Sequence, residues 1–337
     1  MLRVRPVALT DLDALEQLAG EAGLGMTNLP ADRTILEARI RTSIDSFAAE
    51  ITTPGEEAYL LVLEDTANGR IVGTGGVFAA VGLSRPFYSY QISQQAHTSR
   101  ELNRYDSVTV LQMVNEYRGA SELGMLFLTP DYRRDRNGRF LSRFRFLFLA
   151  EFAERFGRPV MAEMRGVSDA QGRSPFWDNL GRHFFDMDFT KADILSSQGN
   201  YQFIADLMPK HPIYIRLLPK VAQQVIGVPH EATRPALKLL EREGFRFEGY
   251  VDIFDAGPTV HCPLDQIRTV RDSQRAPLID IVDKIDGEDY MIATTRLNRF
   301  RACRGAIRLT EAGLTLGREV VEALEIEPGD MLRLAAF

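Results

Sequence analysis

Cysteine, tryptophan and long apolar runs are scarce in this sequence. Its two cysteines, Cys262 and Cys303, stand far apart and near no histidine-rich cluster, which argues against a disulfide framework or a zinc site and leaves two free thiols. No apolar run approaches the ~20 residues of a membrane span, and Met1-Leu2-Arg3-Val4-Arg5-Pro6 lacks the apolar core of a secretory leader. The expectation is a cytoplasmic chain without a membrane partner. A basic surplus is also missing: the net charge of −6 argues against nucleic acid as a partner, although a local basic loop in an acidic chain suits a small anionic ligand.

What is present is enough apolar residue, 45% of 337, to fill the cores of two ordinary domains. The most informative stretch runs from Glu122 to Phe156. Leu123 to Leu128 reads as a strand ending at Thr129-Pro130, and Phe140, Leu141, Phe144, Leu147, Phe148, Phe152 and Phe156 recur at helical spacing. Between them, Asp131 to Gly138 forms a polar loop where a helix begins. Free N–H groups there, with Arg133, Arg134, Arg136 and Arg139 nearby, suit a pyrophosphate, although a solvated basic loop beside an ordinary core stripe fits the same residues.

Earlier in the chain, Leu2 to Val7 reads as a strand, and Thr10 with Asp13 reads as a capping box for a helix carrying Leu12, Leu15, Leu18 and Ala19. A second helix is expected over Ala31 to Phe47, with Ile35, Ile40, Ile44 and Phe47 inward. Strands at Tyr59 to Leu63 and Ile71 to Val81 join at Asn68-Gly69, and Gly82 to Gly119 holds one or two more. Val160 to Met164 is strand-like, Ser174-Pro175 opens a helix, and Phe184 to Phe189 reads as the strand after it. Ala236 to Tyr250 repeats that helix-to-strand pattern. The two units mark either two related halves or one enlarged domain with a swapped closing segment. After a linker from Asp265 to Ala276, strand-like runs at Leu278 to Val282, Tyr290 to Thr294 and Met331 to Leu334 make a small, mostly β C-terminal region, read as a packing or subunit-contact module.

Tyr132 to Leu141 resembles the acyl-CoA loop of the GNAT acyltransferases, with Arg133 and Gly138 at its outer positions and Arg136 where the middle glycine stands. Thr27-Asn28-Leu29-Pro30, Glu122-Leu123, Ala162 to Gly166, Ser174 to Trp177, Gly181 to Phe185, Met208 to Tyr214, Asp252 to Pro258 and Glu327 to Leu334 resemble the arginine N-succinyltransferase family. The resemblance implies an α+β, GNAT-like fold: residues 1–190 as the domain with the acyl-CoA loop, 191–264 as a second half or swapped closing segment, and 277–337 as the β-rich appendage. It implies succinyl transfer from succinyl-CoA to L-arginine or L-ornithine by an N-acyltransferase, with no permanently bound cofactor or metal, and assembly as a homo- or hetero-oligomer with a related subunit. A non-catalytic CoA-binding or assembly subunit is the competing reading.

Such a transfer needs a neutral amine, a polarised thioester carbonyl and a proton for the departing thiolate. The resemblance places the main chain of Leu126 and Leu128 on the pantetheine and thioester, and Arg133, Gly138 and Arg139 on the pyrophosphate. Among His97, His183, His211, His230 and His261, it selects His230, in a loop before the helix at Pro235, as proton donor. Tyr214 and Tyr250 stand in reserve. Glu163 and Arg165 sit at a strand end, where at most one is expected to reach the cleft.

Overall fold

In the computed structural model, which describes residues 1–23, 29–197 and 202–337, the run Ser121–Leu128 forms β6 and Asn137–Glu151 forms α3, separated by the polar loop. Thr27 and Asn28 lie outside the described residues. Before β6 come β1 (Leu2–Pro6), α1 (Leu12–Ala22), α2 (Arg33–Ala48), β2 (Ala58–Asp65), β3 (Arg70–Phe78), β4 (Ser89–Ser99) and β5 (Arg104–Val114). After α3 come β7 (Val160–Glu163), α4 (Pro175–Asn179), α5 (Gly181–Phe185), α6 (Phe189–Ser197), α7 (Gln202–Leu207), β8 (Ile213–Tyr214), α8 (Lys220–Gln223), α9 (Arg234–Glu243), β9 (Arg246–Asp252), β10 (Pro258–Cys262) and α10 (Arg268–Asp272). The C-terminal region adds β11 (Gln274–Val282), β12 (Glu288–Thr294), β13 (Ala302–Thr310), β14 (Gly313–Gly317), α11 (Arg318–Leu324) and β15 (Met331–Ala336).

The strands follow one hydrogen-bonded order, β12-β15-β11-β14-β13-β1-β2-β3-β6-β7-β10-β9-β4-β5-β8. An extra β12–β13 pairing closes the five C-terminal strands on themselves, so that region is a small barrel whose wall continues into the main sheet through Arg3↔Cys303 and Val4↔Ala302. In the body, β1-β2-β3-β6 is antiparallel and β6–β7 is parallel. The β4–β5 hairpin extends the far side, pairing β9 through Tyr90↔Val251.

Helix α3 is buried almost all round, because the sheet covers one side and α9, α10 and the barrel cover the other. Its Phe144, Phe146 and Phe148 are fully buried, and Phe148 meets Phe300 edge-on at 4.9 Å. The polar residues on it are tied down: Arg143 Nε donates to Glu243 at 2.9 Å, and Glu151 accepts from Arg275 and Arg333 at 2.6 Å each.

Several local readings need correction. Asp11, not Thr10, caps the first turns, its carboxylate accepting the Ala8 N–H at 2.8 Å. Ile44 is exposed, because Leu36, Ile40, Ser43 and Phe47 make the inward stripe of α2. Helix α3 stops at Glu151, and Phe152 and Phe156 reach the core from a following 3-10 turn. Phe184 to Phe189 is the end of α5, a turn at Asp186 to Asp188 and the first residue of α6 rather than a strand, so among the described residues the helix-to-strand closing unit occurs once, as α9–β9. The expected linker is ordered as α10 and the start of β11, with Thr269 N–H bonded to Glu243 at 2.8 Å.

Candidate active site

Strands β6 and β7 bond each other only at Ser121↔Val160 and Glu122↔Met161, and then diverge. The cause lies in β6, where Met125 has φ 54° and the register against β3 shifts between Thr74 and Gly76. A bulge of this kind bends its strand. Thr74 Oγ1 holds it by donating to Met125 O at 2.6 Å. Gly76 makes room for it, since a Cβ there would fall 2.2 Å from Met125 Cε.

The gap is a cavity of about 230 Å³ lined by Leu123 to Leu126 of β6, Ser142 and Arg145 of α3, and Ala162 to Arg165 at the end of β7. Thr233, Ala236, Asp252 and Asp255 close its far wall. Both Glu163 and Arg165 line it, which corrects the expectation that at most one would: residues two apart share a face of an extended chain.

Leu126 faces this cavity. Leu128 lies beyond it at the strand end, its carbonyl accepting from Arg133 Nε at 2.9 Å while the guanidinium rides over Phe127. In the loop, Asp135 and Arg136 both adopt left-handed φ, 51° and 62°, so Arg136 takes a conformation suited to the glycine it replaces. The N–H of Asn137 bonds Arg134 O and that of Phe140 bonds Arg136 O, leaving those of Gly138 and Arg139 without backbone acceptors among the described residues at the helix start. Gly138 is exposed, and an added Cβ would meet only Leu128 Cδ2 at 3.9 Å. Burial, then the charges of Arg136, Arg268 and Arg242, lower the Arg139 pKa, marking a cluster of cations. The Arg136 side chain turns away toward Asp289 and the Phe337 ring, and Arg304 Nη1 donates to Asp135 O at 2.6 Å, so the barrel braces the loop.

His230 is not among the residues lining the cavity; it bonds Arg165 and stands three residues before Thr233, both of which line it. Its N–H donates to Arg165 O at 2.8 Å, Thr233 Oγ1 donates to its carbonyl, and its Nδ1 accepts from Ala232 N at 3.1 Å. An accepting Nδ1 assigns the neutral ring's proton to Nε2. Burial and the Arg165 charge lower its pKa. Tyr250 instead donates to Glu116 and Tyr214 to Gln95, neither facing the cavity.

Sequence reasoning underrated the carboxylates. Asp252 accepts the N–H groups of Phe254 and Asp255, and Asp255 those of Gly166 and Gly257. Among the described residues Glu163 has no comparable donors, and burial, with Asp252, Glu122 and Asp255 adding negative charge, raises its pKa well above the usual carboxylate range.

A parallel strand pair splays beside a helix-start loop in an α+β fold, and the family that the chain matches makes it an N-acyltransferase. The family described as "Arginine N-succinyltransferase beta subunit" matches residues 2–269, and its C-terminal domain matches 274–336. Arginine N-succinyltransferase from Yersinia enterocolitica is 46% identical over 340 residues, covering 100% of this chain and 98% of the relative. The Escherichia coli protein of the same name is 42% identical, covering 99% and 97%. The solved arginine/ornithine succinyltransferase subunit AI from Pseudomonas aeruginosa superposes with TM-score 0.91 at 36% identity, covering 100% and 98%. The chain belongs to the arginine N-succinyltransferase family.

Proposed function

We propose that the chain transfers the succinyl group of succinyl-CoA to the α-amino group of L-arginine or L-ornithine, directly within a ternary complex. The observation that carries this reading is the cleft itself: one cavity joins the open edge of β6 at Leu126 to an acidic wall at Glu163. The thioester carbonyl bonds the main chain at Leu126, and the pantetheine runs past Leu128. The pyrophosphate sits on the free N–H groups of Gly138 and Arg139, with Arg133 and the Arg139 side chain supplying positive charge. Glu163, ionised, meets the incoming ammonium and takes its proton; after the amine attacks, neutral His230 takes the second nitrogen proton and, as imidazolium, gives it to the departing thiolate as the C–S bond breaks.

No covalent intermediate is needed, since holding both substrates together supplies much of the rate. The thiols support this: Cys262 and Cys303 are buried, with pKa values pushed up to about 11 and about 12 by desolvation. A non-catalytic CoA-binding or assembly role is not favoured, given family similarity over the full chain. We also read the enzyme as a homo- or hetero-oligomer with a related subunit, which light scattering of the purified chain tests.

The deciding assay follows free CoA thiol. Release from succinyl-CoA should require arginine or ornithine; release that ignores both amines, or none at all, overturns the reading.

A further inference from the structure

We propose that Arg145 is the binding residue for the free carboxylate of the succinyl group, and so sets the choice of acyl donor. This rests on succinyl-CoA being the donor. Arg145 stands mid-α3, is 2% exposed, and lines the cavity beside Leu126. Its only hydrogen bonds among the described residues run to its own helix: Nε to Ser142 O at 3.1 Å and Nη2 to Ser142 Oγ at 3.4 Å. The neighbouring buried arginines instead reach partners on other elements. Arg143 has the Glu243 carboxylate, Thr269 and Ala336 O, while Arg155 has Tyr59, Ser46 O and Ala49 O.

Burial alone lowers the Arg145 pKa, to about 10, so the guanidinium stays charged near neutrality with no counterion among the described residues. A buried charge of this kind is costly unless paired. A carboxylate entering the cavity supplies the missing partner, with the planar fork suited to a bidentate contact.

The cavity's charges are also segregated. Arg145 comes from α3, on the side of the acyl-bearing strand β6, whereas Glu163, Asp252 and Asp255 lie on the β7 and β9 side, where the amine is held. Arg165, on that second side, has a buried Nε without a partner and is left for the carboxylate of the amino acid.

The test compares succinyl-CoA with butyryl-CoA, which has the same chain length and no carboxylate. Wild type should prefer succinyl-CoA, and Arg145→Met should lower kcat/KM for it by about 10²-fold or more while keeping or raising that for butyryl-CoA. Arg145→Lys should restore part of the preference and serves where the methionine variant does not fold. In a thermal-shift titration, succinyl-CoA should raise wild-type Tm more than CoA does, and the methionine variant should lose that difference. Parallel loss on both donors in a folded variant, or a succinyl preference that survives the methionine change, overturns the assignment. A wild type that turns over no succinyl-CoA sinks the donor reading instead.

Discussion

Gly138 is exposed, lies outside the left-handed region, and has open space where a Cβ would go. Gly138→Val should therefore leave Tm close to wild type, yet place two methyl groups where the pyrophosphate must approach the backbone. The expected outcome is a KM for succinyl-CoA raised at least tenfold with KM for arginine little changed, read from initial rates. An unchanged KM would remove the loop from the site. His230 calls for a different readout. His230→Ala should lower kcat by about 10²–10⁴ with succinyl-CoA affinity by calorimetry nearly intact. Because burial and Arg165 depress its pKa, wild-type His230 is neutral at pH 7, and the acid limb of kcat that it governs should lie below pH 6.5 and vanish in the variant.

At the scale of elements, the end of β7 carries a pH-dependent cost. Folding raises the Glu163 pKa, so between its unfolded and folded values the native state binds more protons than the unfolded one, and stability falls as pH rises. Glu163→Gln should then raise Tm at pH 8 and leave it unchanged at pH 4, in paired thermal melts; equal shifts at both pH values would refute the linkage. The strand-loop-helix from Ser121 to Glu151 was legible because a short apolar run gives way to helical spacing across a polar loop, and α9–β9 because helical spacing stops at Gly244 just before a strand. The run Phe184 to Phe189 was not, since four apolar residues broken by Asp186 and Asp188 fit the alternation of a strand as well as the ends of two helices. The splay of β6 was invisible for a further reason: it depends on a left-handed Met125, which no propensity announces. Arg145 did leave a trace, a charge inside an otherwise apolar helical run, but its isolation depends on what the other elements fail to bring near it.

At the scale of the whole molecule, body and barrel share more than a boundary. The β1–β13 pairs make one sheet of both, Arg143 donates to Ala336 O at 3.1 Å, and Glu151 of α3 takes two barrel arginines, Arg275 and Arg333. Glu151 is buried and, among the described residues, pairs with no further cation, so its loss would leave Arg333, itself largely buried, without a counterion. Breaking a buried pair by removing one partner costs about 3–5 kcal/mol, and the half-exposed Arg275 places this case near the lower end. Glu151→Ala should thus lower global stability by about 3 kcal/mol in urea melts. Since the shared sheet and buried contacts couple the two parts, calorimetry of wild type should show one transition, and the variant should show one transition at lower temperature. Two resolved transitions in the wild type would mean that the barrel unfolds on its own, and that its bracing of the loop before α3 through Arg304 and Asp135 is not enforced by the rest of the fold.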